Sequence, residues 1–185
     1  MKLNFGRTAL AAIGASAFLS TMSNASQAGM DVHERAAAPL NRVELHRLEE
    51  IADRVESMMS GSRSVATRVW PHAVRDAKGR LGIFIGSSQP LFDDQDAQVA
   101  QYREAWVVFG LVAAVKYCEG SQVGHIGFTD LRGMFAEQWY YDLDMATARE
   151  VHRMLTHGFI QPAVAFRMIS SAWQKVTVNH QLAVR

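Results

Sequence analysis

Apolar residues recur at helical spacing in four long stretches of the chain. In the first, Leu48, Ile51, Ala52, Val55, Met58 and Met59 form one stripe, while Glu44, Glu49, Glu50, Asp53, Arg54 and Glu56 fill the remaining positions. Asn41 stands where an N-cap belongs, Glu44 completes a capping box, and Ser60-Gly61-Ser62 ends the run. In the second, acids at Asp93, Asp94 and Asp96 suit a helix N-terminus, and Val99, Tyr102, Ala105, Trp106 and Phe109 form the initial stripe. From Ala105 to Val115 this helix is apolar on every side, which predicts a central helix over residues 95–118 buried by its neighbours. Gly110 within it predicts close approach of another backbone.

The third stretch runs from Met145 to His157, with Asp144 as its cap and Gly158 just past its end. Pro162 opens the fourth, which continues to about Val176. Thr129 or Asp130 caps a shorter helix toward Tyr140, and the cluster Trp139, Tyr140 and Tyr141 reads as core packing.

The intervening segments carry weaker signals. Val65 to Val74 suits a turn or two of helix broken at Pro71, and the glycine-rich stretch from Gly120 suits a flexible connection. Leu81 to Ile85 is a short apolar run without an evident strand partner, so it reads as a loop packed into the core. The expected fold is therefore all-α: a single-domain, irregular helical bundle of about five helices over residues 41–185, built around the central helix.

The N-terminal pattern differs in kind. Lys2 and Arg7 precede an uncharged, Ala-rich run from Thr8 to Leu19, and Ser26-Gln27-Ala28 offers small residues at a cleavage site. Residues 1–28 thus read as a cleaved secretory signal peptide, and residues 29–40 as a flexible lead-in. The chain has 185 residues, with 19 basic and 18 acidic side chains. Because the leader holds Lys2 and Arg7 and no acid, the formal charge falls from +1 to −1 on processing. That balance lacks the electrostatic footprint of a nucleic-acid binder. No second apolar stretch is long enough to span a membrane. The expected location is periplasmic or secreted from a bacterium.

A nearly average hydrophobic content of 49% excludes disorder, and one cysteine excludes a disulfide scaffold. Cys118, His125 and Asp130 are the residue types of a nucleophilic triad, but Cys118 falls at a helix C-terminus, where the dipole disfavours a thiolate. Cys118 reads as a buried thiol, or as one that links two copies into a homodimer. No metal motif is evident: His46 shares a helix face with Glu49 and Glu50, which suits a solvated surface, and HExxH is absent. No cofactor is implied, since Gly120 to Gly127 lacks the Lys-Ser/Thr ending of a phosphate loop.

Arg63, Arg68, Arg75, Lys78 and Arg80 are opposed only by Asp76, which makes this segment the candidate surface for a protein or anionic envelope partner. The expected function is that of an exported, non-enzymatic protein binding another macromolecule in the cell envelope, as an accessory, inhibitor or immunity-type module. The alternative is a small envelope hydrolase using Cys118/His125 or Glu/His chemistry.

Overall fold

The computed structural model describes residues 32–33, 40–61, 66–72, 75–76, 78–92, 97–135 and 138–177. The expected signal segment, most of the lead-in, and the acids at 93, 94 and 96 lie outside the described residues. The fold is α/β, which corrects the all-α helical bundle. A mixed six-stranded sheet is formed by β1 (Val32–His33), β2 (Thr67–Pro71), β3 (Leu81–Ser87), β4 (Val123–Asp130), β5 (Trp139–Asp144) and β6 (Gln174–Thr177). Their spatial order is β1-β6-β5-β4-β3-β2. The helices are α1 (Arg42–Ser60), α2 (Ala97–Tyr117), α3 (Leu131–Phe135), α4 (Met145–Thr156) and α5 (Pro162–Ala172).

The helices follow the local signals closely. Asn41 caps α1 through the N–H groups of Val43 and Glu44, and Glu44 returns a bond to the Asn41 N–H. Asp144 caps α4 through the Ala146 N–H, and Gly158 beyond its end takes a positive φ of 71°. The central helix is α2, with Val107, Leu111, Ala113 and Ala114 fully buried. Gly110 faces the side chains of Phe128, Met59 and Ile85 rather than another backbone.

The corrections concern the strands. Leu81 to Ile85, expected as a loop, belongs to the strand β3, antiparallel to β2 on one side and parallel to β4 on the other. The supposed glycine connection after Ser121 is β4, and the supposed helical turns before Pro71 are β2. Pro71 falls at the last position of an edge strand, where its missing N–H is tolerated. The final helix stops at Ala172, and Gln174–Thr177 pairs with β5.

The sheet has two unlike faces. Ile83, Ile85, Ile126, Phe128 and Leu143 project into one core cluster with buried residues of α1, α2, α4 and α5. Each fully buried aliphatic side chain there contributes roughly 1.5–3 kcal/mol. Along the exposed edge of β2, Glu56 of α1 accepts the Val69 N–H at 2.8 Å, shielding that edge from further strand pairing. The short α3 instead lies against the other face, with Met134 beside Gly86 and Gly133 beside Thr129.

Candidate functional site

That second face combines a polar end and an aromatic end. Two glycines make room for the rings on it. Gly82 lies opposite His125 in the β3–β4 register, and Gly127 lies opposite Phe84. A Cβ on Gly82 would stand 2.1 Å from His125 Nε2, and one on Gly127 would stand 2.2 Å from Phe84 Cδ1. The rings therefore occupy the space that side chains on those glycines would fill.

At the polar end, His125 is fully buried and its Nδ1 lies 2.7 Å from Asp142 Oδ1. Its Nε2 lies 3.4 Å from Nδ1 of His72, a buried residue just beyond β2 whose backbone N–H bonds Gly82 O. Arg80 then ties three carboxylates together. It donates to Asp142 Oδ2 at 2.7 Å, to Asp144 Oδ2 at 2.8 Å, and from Nε to Asp76 Oδ2 at 2.6 Å. The other Asp76 oxygen accepts the N–H groups of Lys78 and Arg80, closing the β2–β3 turn.

These contacts favour the charged forms of Asp76, Arg80 and Asp142. Burial by itself would raise the Asp142 pKa, but the bond and charge of His125, reinforced by Arg80, outweigh it and hold the carboxyl below its ordinary value. For Asp76, burial is again opposed, here by the Arg80 backbone N–H and guanidinium, and the net direction is also downward. Burial works against the charge on Arg80, yet its bonds to Asp76 and Asp142 raise its pKa overall. Asp76, His125 and Asp142 offer ligand atoms within 4.8 Å of one another, but the Arg80 guanidinium already serves as the cation of that carboxylate pair.

At the aromatic end, Trp70, Phe84, Met134, Gln138, Tyr140 and Thr129 line a cavity of about 150 Å³. Phe84 packs against Tyr140 at 4.8 Å between ring centroids and against Trp70 at 5.7 Å. Gln138 has a φ of 54°, a left-handed conformation uncommon for a residue with a side chain. Thr129 donates its hydroxyl to Trp139 O, so the cavity walls are mostly apolar.

The structure disperses the sequence-level candidates. Cys118 is buried in the helical core, where desolvation pushes its thiol up to about 12. Asp130 uses its carboxylate to accept the N–H groups of Phe92, Arg132 and Gly133. His125 instead engages Asp142 and His72, so Cys118, His125 and Asp130 each have separate surroundings. Of the cationic set, Arg63 lies outside the described residues. Arg75 pairs with Glu44 of α1, and Arg80 is internal to the polar cluster. Arg68 and Lys78 are exposed, with Arg68 3.6 Å from Glu56. Sequence reasoning missed His72 and Asp142 as partners of His125, and Asp76 as a partner of Arg80. The one local trace is the alternation His125, Gly127, Thr129, which marks a strand face once β4 is recognised as a strand.

No family model matches the chain, and no curated protein or solved structure shows a similarity that would relate it to one. Among the described residues, no helix is long and apolar enough to cross a membrane.

Proposed function

We propose that this chain is an exported, non-enzymatic binding protein of the bacterial cell envelope, and that it grips one large apolar side chain of a protein partner in the aromatic cavity. The observation that carries this reading is the cavity itself: about 150 Å³, walled by Trp70, Phe84, Met134 and Tyr140, on the sheet face away from the four long helices. That volume suits a single aromatic or leucine-sized group, the scale at which a buried anchor dominates an interface. Arg68 is in register with Gly86, which itself lies against Trp70 and Met134. An exposed guanidinium so placed favours a partner with a carboxylate near its apolar anchor.

The hydrolase alternative finds less support. A thiol with a pKa of about 12 is protonated at neutral pH, and the group facing His125 Nε2 is an imidazole rather than a hydroxyl or thiol. The export half of the proposal is supported by the leader pattern of residues 1–28. Intact mass of the exported protein tests it: a chain beginning at Gly29 is expected, and retention of Met1 to Ala28 would overturn it.

Panning a displayed random-peptide library against the purified chain tests the binding half. The expected outcome is enrichment of peptides with one Phe, Trp or Leu beside an acidic residue. Their affinity should fall at least tenfold on Met134→Lys. Absence of enrichment, or binding indifferent to Met134→Lys in a normally folded variant, would remove the cavity as the binding site.

A further inference from the structure

We propose that His72 and His125 together form a binding site for a divalent transition-metal ion of the imidazole-preferring kind, such as zinc. The two side chains approach through His72 Nδ1 and His125 Nε2, 3.4 Å apart. Two nitrogens bound at about 2.0–2.1 Å to one tetrahedral zinc ion are separated by about 3.3–3.4 Å. The pair thus has the spacing of two ligands on one ion before any ion is added.

The other ring nitrogen of His125 strengthens the assignment. Its Nδ1 meets Asp142 Oδ1 at 2.7 Å. With Nδ1–H donating a hydrogen bond to that carboxylate, the ring's lone pair is on Nε2, the nitrogen that faces His72. Asp142 is in turn held by Arg80, so the imidazole is fixed in orientation by a chain of charged hydrogen bonds. Gly82 contributes by leaving the ring its place on the sheet.

Charge points the same way. Asp76, Asp142 and Asp144 surround a single guanidinium, that of Arg80, and leave a formal charge of −2 beside two imidazoles. A divalent cation on the imidazole pair cancels that charge. The carboxylates act from outside the ion's own ligands, because Asp76 and Asp142 are already engaged at both oxygens. Hard cations such as magnesium, which favour oxygen ligands, are not expected there.

Calorimetric titration of the chelator-treated full chain with zinc chloride tests the site, with magnesium chloride as the contrasting probe. One zinc per chain is expected and no magnesium. His72→Gln should weaken zinc binding at least 100-fold, and Asp142→Asn should weaken it 10- to 100-fold. His46→Ala should leave it unchanged, because His46 lies on the surface of α1 beside Glu49 and Glu50. X-ray absorption at the zinc edge of the unsubstituted protein, with two imidazoles in the coordination sphere, gives a readout that no misfolded variant can confuse. Failure to bind zinc, loss of binding in His46→Ala with retention in His72→Gln, or a sphere without two imidazoles would each overturn the proposal. In that case the His72–His125 contact is a hydrogen bond alone.

Discussion

His125 occupies the space above Gly82: a Cβ at residue 82 would sit 2.1 Å from the imidazole Nε2. The absence of one side chain on β3 is therefore what allows a buried histidine on β4. Gly82→Ala forces the ring away from Asp142 or the strands apart. The expected loss is on the order of 3 kcal/mol, the upper part of the range for overpacked interiors. Urea melts measure it, and an unchanged midpoint would show that the ring has room to move.

Arg68 and Arg80 belong to the same basic segment of the sequence but carry different loads. Arg80→Gln leaves Asp76 and Asp142 without their guanidinium in a largely buried setting, at an expected cost of about 3–5 kcal/mol. Arg68→Gln removes a largely exposed guanidinium from a 3.6 Å pair with half-buried Glu56 and should cost less than about 1 kcal/mol. Side-by-side denaturation of the two variants checks the contrast. Equal effects would mean that Arg80 is not the hub of the network.

Asp76 and Asp142 give stability a defined acid limb. Their native pKa values are lowered, so between the native values and the ordinary value near 4 the unfolded chain binds more protons. Their contribution is complete above about pH 5 and disappears as pH falls through the native values. Unfolding midpoints measured from about pH 7 to about pH 3 should decline steeply at the acid end. Asp142→Asn should be less stable at neutral pH and show a shallower decline.

Cys118 should behave as an inert core thiol. Its pKa of about 12 and full burial predict no reaction with a thiol reagent until the protein unfolds. Cys118→Ala should cost about 1 kcal/mol through the lost sulfur packing and leave partner binding intact. Rapid labelling of the native protein, or a dimer on non-reducing gels, would show the sulfur to be accessible.

The aromatic cluster at 139–141 shows why packing was easier to read than arrangement. Trp139 and Tyr140 are both buried, in agreement with a packing role, yet they point to opposite faces of β5. Tyr141 stacks on Trp173 at 4.5 Å, while Tyr140 joins Phe84 beside the cavity. Residue type announces burial, but only the strand period assigns the face.

The sequence by itself determined the four long helices and most of their ends, though not the end of the last, where Gln174–Thr177 leaves the helical pattern for the sheet. Asn41 with Glu44, Asp144, Gly158 and Pro162 act on backbone groups within four residues, so their meaning is contained in the local chain. The same holds for the buried α2, whose apolar surface on all sides requires enclosure whatever surrounds it. The strands were decided by tertiary structure. Leu81–Ser87 becomes a strand because β2 returns alongside it and β4 reaches its other edge after the whole of α2, and strand hydrogen bonds require such distant partners. The glycines of β4 hide the alternation on which strand reading depends, and they are tolerated because Phe84 fills the space over Gly127. The candidate site follows the same rule. His72, Arg80, His125 and Asp142 come from four separate places in the chain, and only the sheet register brings their charges and lone pairs within reach of one another.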